Sequence, residues 1–480
     1  MKNGFSVGLL AVLALLIGCS SQNSPPNSQS SQGGTSSTDE STGGVDTSAG
    51  GSDTGGDTST SVGDTGGMAA TGGMAATGGV ASICVANFGG STSTASSGTH
   101  WVGTWTASPY VDTSTSNTPP FALSNSVIRQ VTHVSLGGSQ VRVQFSNLRG
   151  NGSLTINGAH IALCKATPAV DSTIDTSTDT ALTFSGQASV TIAQGQELWS
   201  DPVNFALPNQ GNVTITTAFG TVPSTLTQHS GSRTTSYFVS NSTDVSAANM
   251  SSATSKALWF FISGIDVMAD ADAKGIVAIG DSITDGRGSD TDHNNRWTDD
   301  LAARLQGNAA TAKVSMMNQG IGATNLVGAT GTAAQARFSR DVLGQSGVRY
   351  AIVFDGVNDI GGGTSFASMK TVYDSMISQA HTKGLLMYGA TITPFGANSY
   401  YTVAHESVRQ QVNTYIKSGV FDGVIDFDAA LTDGGNPPKL QATYAAWTPN
   451  NPAGSADGLH PGPAGYQKMG DSVDLTLFTK

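Results

Sequence analysis

Hydrophobic and polar positions divide the chain into four stretches. An apolar run occupies 7–17, and residues 20–83 then carry few aliphatics and no aromatics. From 84 to 268 the period is two: Val141, Val143 and Phe145 alternate with Arg142 and Gln144, as on a half-buried strand. Further β-rich runs fall at 154–163, 181–192, 213–218, 235–239 and 258–262, parted by turn signals such as Gly137-Gly138 and Asn151-Gly152. These predict a jelly-roll-like β-sandwich. From 269 to 480 short apolar runs at 276–279, 350–354, 385–388 and 424–427 alternate with helical patterns. The clearest is Phe366, Met369, Tyr373, Met376, Ile377 and Ala380, stopped by Gly384; another runs 461–477 and opens at Pro461. Apolar runs alternating with helices predict an α/β domain, a parallel sheet covered on both faces, with its site at the C-terminal strand ends.

Composition narrows the function classes. Charged residues are 12% of 480, about half the usual ~25%, and the net charge is −12. No Lys or Arg occurs between Lys2 and Arg129. That excludes the basic stripe of a nucleic-acid binder and electrostatic docking on anionic lipid. Three Cys exclude a disulfide-dense scaffold and a Cys-rich zinc module.

Lys2, the short apolar run and Leu16-Ile17-Gly18-Cys19, followed by Ser20-Ser21, resemble a bacterial lipoprotein signal with its lipobox. The resemblance implies cleavage before Cys19, acylation of its thiol and, with Ser20 next, residence in an outer membrane. The lipid is then the chain's contact with the membrane. Residues 20–83 read as a flexible spacer, with Gly66-Gly67-Met68-Ala69-Ala70-Thr71 repeated at once as 72–77. In an oxidising compartment Cys84 and Cys164 are left to form one disulfide or to stay as two buried thiols.

Three motifs carry chemistry, each at a predicted loop. Gly280-Asp281-Ser282-Ile283-Thr284-Asp285-Gly286 follows the 276–279 run. A Ser at a strand-to-helix turn presents its hydroxyl at the sheet edge, with its own N–H unpaired at a helix start. Gly356-Val357-Asn358-Asp359 follows 350–354, where a carboxamide can donate to an oxyanion. Asp457-Gly458-Leu459-His460-Pro461 places a carboxylate within one turn of an imidazole.

In this order the set resembles the SGNH or GDSL hydrolase superfamily. Asn294-Asn295-Arg296-Trp297, Asn318-Gln319-Gly320-Ile321-Gly322, 389–396 and 421–427 extend the likeness to a bacterial subgroup similar to xylan-associated esterases. Trp101-Val102-Gly103-Thr104-Trp105 and the β region resemble that subgroup's usual N-terminal part. The resemblance implies a flavodoxin-like three-layer domain over 269–480. It implies Ser282 as nucleophile, His460 as general base and acid, and Asp457 as its orienter. The oxyanion donors would be the N–H of Ser282, the Asn358 side chain and a second backbone N–H, with no metal or cofactor. Where the subgroup reads Gly-Ile-Gly-Gly-Asn, this chain has Gly320-Ile321-Gly322-Ala323-Thr324. The second N–H is then that of Ala323 or, in another register, Gly322. Glycine at position 323 matters if the turn needs positive φ.

The remaining candidates read as structural: Trp101 and Trp105 as core, His229 and Arg233 as part of the β region, and Asp290, Asp292 and His293 as a solvated loop. Together the features predict an exported serine esterase, acting first on acetylated plant polysaccharide such as xylan. The alternatives are a lipase or arylesterase, or a carbohydrate-binding lipoprotein without activity.

Overall fold

The computed structural model describes residues 98–166, 171–448 and 455–480. Cys19, the 20–83 spacer and Cys84, and with it any Cys84–Cys164 pairing, lie outside the described residues.

The β region forms two main antiparallel sheets face to face and a separate two-stranded ladder of Gln228–His229 with Trp259–Phe260. One runs Thr99–Thr106, Ile262–Asp270, Gly138–Ser146, with Glu197–Trp199 and Val203–Leu207 at its far edge. The other places Ser126–His133, Asn212–Phe219 and Leu154–Leu163 at its centre. Val141, Val143 and Phe145 are fully buried, as their alternation predicts, and pack with Ile128, Ile156 and Ile215. Trp105 is buried edge-to-face on Trp259, with ring centroids 4.9 Å apart, whereas Trp101 stays half-buried beneath the Arg142 guanidinium at 4.6 Å. The apolar run 258–262 does not make one strand. It breaks at Phe261, whose φ is +60°, between Trp259–Phe260 and Ile262–Asp270.

A tight turn at 271–273 leads into five parallel strands: β1 (Lys274–Gly280), β2 (Val314–Gly320), β3 (Val348–Phe354), β4 (Leu386–Ala390) and β5 (Gly423–Ile425). Their order is β2-β1-β3-β4-β5, the flavodoxin-like arrangement, which reverses between β1 and β3. Ile276, Val277, Ala278 and Ile279 are all fully buried, since helices cover both faces of the sheet. Helix Phe366–Thr382 starts at the Ser365 cap and buries Met369, Tyr373, Met376 and Ala380 on one stripe.

The 461–477 helix is shorter than its pattern. It spans Pro463–Ser472, because Val473 is buried in an extended conformation and Asp474 caps a separate turn, Leu475–Phe478. Strand Thr99–Thr106 runs beside the parallel sheet: Ser315 Oγ donates to Gly103 O at 2.6 Å, and Thr106 Oγ1 to Asn318 O at 3.0 Å.

Candidate active site

β1 ends at Gly280, and the chain turns at once into the single helical turn Ser282–Asp285. The Asp281 carboxylate caps it, accepting from Ile283 N at 2.9 Å. Arg337 anchors the turn from below. It donates to Gly280 O at 2.8 Å and Gln319 O at 2.5 Å while paired with Asp341 at 3.0 Å.

Ser282, His460 and Asp457 meet, although 178 residues separate the first two. Ser282 Oγ lies 2.7 Å from His460 Nε2. His460 Nδ1 lies 2.7 Å from Asp457 Oδ2, while Asp457 Oδ1 accepts the N–H groups of Leu459 and His460 at 3.0 Å each. This tight return passes through Gly458 at φ +75°, where a Cβ would also stand 2.8 Å from the Ala397 backbone. A carboxylate facing Nδ1 fixes the proton there, and Nε2 is left as the acceptor facing the serine hydroxyl. Burial works to raise the Asp457 carboxyl, but the bond and charge of His460 outweigh it and hold it well below the usual carboxylate range. Burial lowers the His460 imidazole, with Asp457 acting in the opposite direction. Trp447 Nε1 donates to His460 O at 3.1 Å, and Arg287 Nε stands 3.6 Å from Asp457.

The Ser282 and Ala323 N–H groups take no partner among the described residues. Ala323 is exposed and adopts φ +58°, the left-handed conformation that the glycine of the related pattern would take without strain. The Gly322 N–H is committed elsewhere: it donates to Asp285 Oδ2 at 3.1 Å, which corrects the reading of Gly322 as an oxyanion donor. Asn358 is held by both ends of its amide. Nδ2 donates to Thr324 O at 2.7 Å, Oδ1 accepts from Tyr400 Oη at 3.0 Å, and the second N–H has no partner among the described residues. Its neighbour Asp359 accepts from Leu326 N and Val327 N at 2.6 and 3.0 Å, so the two residues clamp one loop.

Sequence reasoning missed several groups. Burial pushes Asp281 up to about 7, and Asp355 well above the usual carboxylate range beside it. His229, read as a structural residue of the β region, reaches the nucleophile turn, its Nε2 being 2.9 Å from Asp285 Oδ1. Arg233 lies in the same segment, its O accepting from Asp292 N at 2.9 Å. Asp292 is bound by Thr235 N at 2.6 Å and Asp290 by Thr448 Oγ1 at 2.5 Å, so this loop is tied down by protein donors. No periodicity marks such contacts. The Asp at position 285 inside the Ser282 motif was the available signal.

Residues 278–468 match the GDSL-like Lipase/Acylhydrolase family. No curated protein matches the chain. Among solved structures, a G-D-S-L family protein from Desulfitobacterium hafniense DCB-2 is 20% identical, with 43% of this chain and 99% of that one covered and a TM-score of 0.33. A GDSL-like lipase from Bacteroides thetaiotaomicron VPI-5482 is 17% identical over 43% and 88%, at 0.32. Axe2, an acetylxylan esterase from Geobacillus stearothermophilus, is 17% identical over 42% and 91%, at 0.31.

Proposed function

We propose that this chain, a carboxylic ester hydrolase by its GDSL-like lipase/acylhydrolase domain, works through an acyl-enzyme on Ser282. The observation that carries the reading is the run of two 2.7 Å contacts from Ser282 Oγ through His460 to Asp457. Ser282 attacks the ester carbonyl while His460 Nε2 takes its proton, and Asp457 stabilises the imidazolium that forms. The tetrahedral oxyanion sits on the Ser282 and Ala323 N–H groups and the free N–H of Asn358. His460 then protonates the leaving alcohol, and water repeats the sequence on the acyl-enzyme.

The substrate we infer is an O-acetylated plant polysaccharide such as xylan, reached by an enzyme lipid-anchored at Cys19 and held off an outer membrane by 20–83. The lipobox-like start, the low-complexity spacer and the xylan-esterase-like motifs support it. The test is acid release by the full-length chain from acetylated xylan, beside aryl acetate, butyrate and octanoate esters, with Ser282→Ala as control. Serine-dependent release that favours acetylated xylan is expected. Preference for long acyl chains would replace the polysaccharide with a lipid, and hydrolysis surviving in Ser282→Ala would remove the mechanism.

A further inference from the structure

His229 belongs to the β region, yet its buried ring ends in the nucleophile turn of the α/β domain. Both ring nitrogens face acceptors: Nδ1 is 3.0 Å from Ser108 O, and Nε2 is 2.9 Å from Asp285 Oδ1. A carbonyl and a carboxylate cannot donate, so each of these bonds takes its proton from the ring. The other oxygen of Asp285 accepts the Gly322 N–H at 3.1 Å. Gly322 immediately precedes Ala323, which holds a left-handed φ of +58° and whose N–H the acyl-enzyme reading assigns to the oxyanion.

The same segment closes on Asp285 from a second side. Arg296 donates to Asp285 O at 3.0 Å and to the carbonyls of Gly231 and Ser232. Gly231 passes so close that a Cβ there would stand 2.0 Å from an Asp285 carboxylate oxygen.

We propose that His229 is a positioning residue for ester hydrolysis: through Asp285 it fixes the Gly322-Ala323 turn, so that the β region completes the oxyanion site of the other domain. This rests on the acyl-enzyme reading above. An untethered turn leaves substrate binding intact and misplaces one donor of the transition state, so kcat falls and KM stays.

The test uses the full-length chain, with competent sites counted by a serine-directed phosphonate ester and oxyanion affinity read with a trifluoromethyl ketone. His229→Phe keeps the ring and removes both donors. It is expected to lower kcat per titrated site about 10- to 100-fold, short of the full loss of a donor, with ketone affinity falling in parallel. His229→Gln, which keeps an N–H for Asp285, recovers part of the loss. Gly231→Ala displaces Asp285 without removing a charge and lowers kcat in the same way; it decides the matter if His229→Phe does not fold. Values of kcat and ketone affinity within about twofold of wild type in these variants overturn the inference alone. Hydrolysis that persists in Ser282→Ala overturns it together with the reading beneath it.

Discussion

Asp457 binds His460 twice, its Oδ2 facing the ring Nδ1 at 2.7 Å and its Oδ1 accepting the backbone N–H of the same residue at 3.0 Å. The carboxylate therefore sets both the tautomer of the imidazole and the direction in which the ring leaves the chain. Replacing it by an amide keeps the turn and removes the charge. Asp457→Asn is expected to lower kcat by roughly 10⁴, as when a triad carboxylate becomes an amide that favours the wrong tautomer. Steady-state kinetics on an aryl acetate reads this, and a loss under about tenfold would separate Asp457 from catalysis.

The pH profile follows from the direction of His460. Burial lowers its imidazole below the ordinary value, and only the neutral form accepts the Ser282 proton. Activity is present above that lowered value and is lost as pH falls through it. The acid limb of kcat/KM is therefore expected to have its midpoint below about 6.5, the unperturbed value. A midpoint above it would mean that another group controls the rate.

Ala323 holds a left-handed φ of +58° while exposed, so the cost is in the backbone rather than in packing. That conformation costs an L-residue about 1–2 kcal/mol, and glycine's greater freedom in the unfolded chain returns about 0.5–1 of it. Ala323→Gly is expected to raise Tm slightly and keep kcat. Ala323→Val, β-branched at positive φ, is expected to lower both. Thermal melts and kcat measured on the same preparations check the pair, and a Val variant as active as wild type would dismiss the donor role of this turn.

Asn358 keeps one amide N–H without a partner among the described residues, its other contacts being Thr324 O and Tyr400 Oη. Asn358→Ala is expected to cost about 10²–10³ in kcat with little change in KM. Asn358→Asp is expected to be worse, since a carboxylate would face the developing oxyanion. Kinetics of both variants against one substrate decide it, and an Asp variant that outperforms Ala would contradict the assignment.

Asp281 caps the nucleophile turn from a fully buried position, with burial pushing its carboxyl up to about 7. Its folded-state value thus lies above the unfolded one of about 3.9. Stability linked to this group is present below pH 4 and is lost as pH rises toward 7 and beyond. Asn caps a helix as well as Asp does, without a charge to bury. Asp281→Asn is therefore expected to gain stability over wild type at pH 8 and to lose that advantage at pH 5, as denaturant melts at the two pH values would show. The same difference at both would mean that the carboxyl ionises normally in the fold.

The sequence by itself determined the two kinds of sheet and the residues that meet at Ser282. Alternation at Val141, Val143 and Phe145 and the unbroken run 276–279 are local consequences of which faces are buried, so they read correctly. Ser282, His460 and Asp457, taken from their motifs, do come together, and the Asp457–His460 half of that contact is local because both groups lie within one turn. Where local and distant demands compete, the pattern misled: buried Val473 ends the last helix early, and Asp285 takes the Gly322 N–H from the oxyanion site. Only the tertiary structure decided that His229 and Gly231 touch the nucleophile turn, that Arg337 holds Gly280, and that the backbone at Ala323 turns left-handed. Such contacts join segments far apart in the chain, where no periodicity relates one residue to the other, and they exist only once both sheets have packed and excluded water from between them.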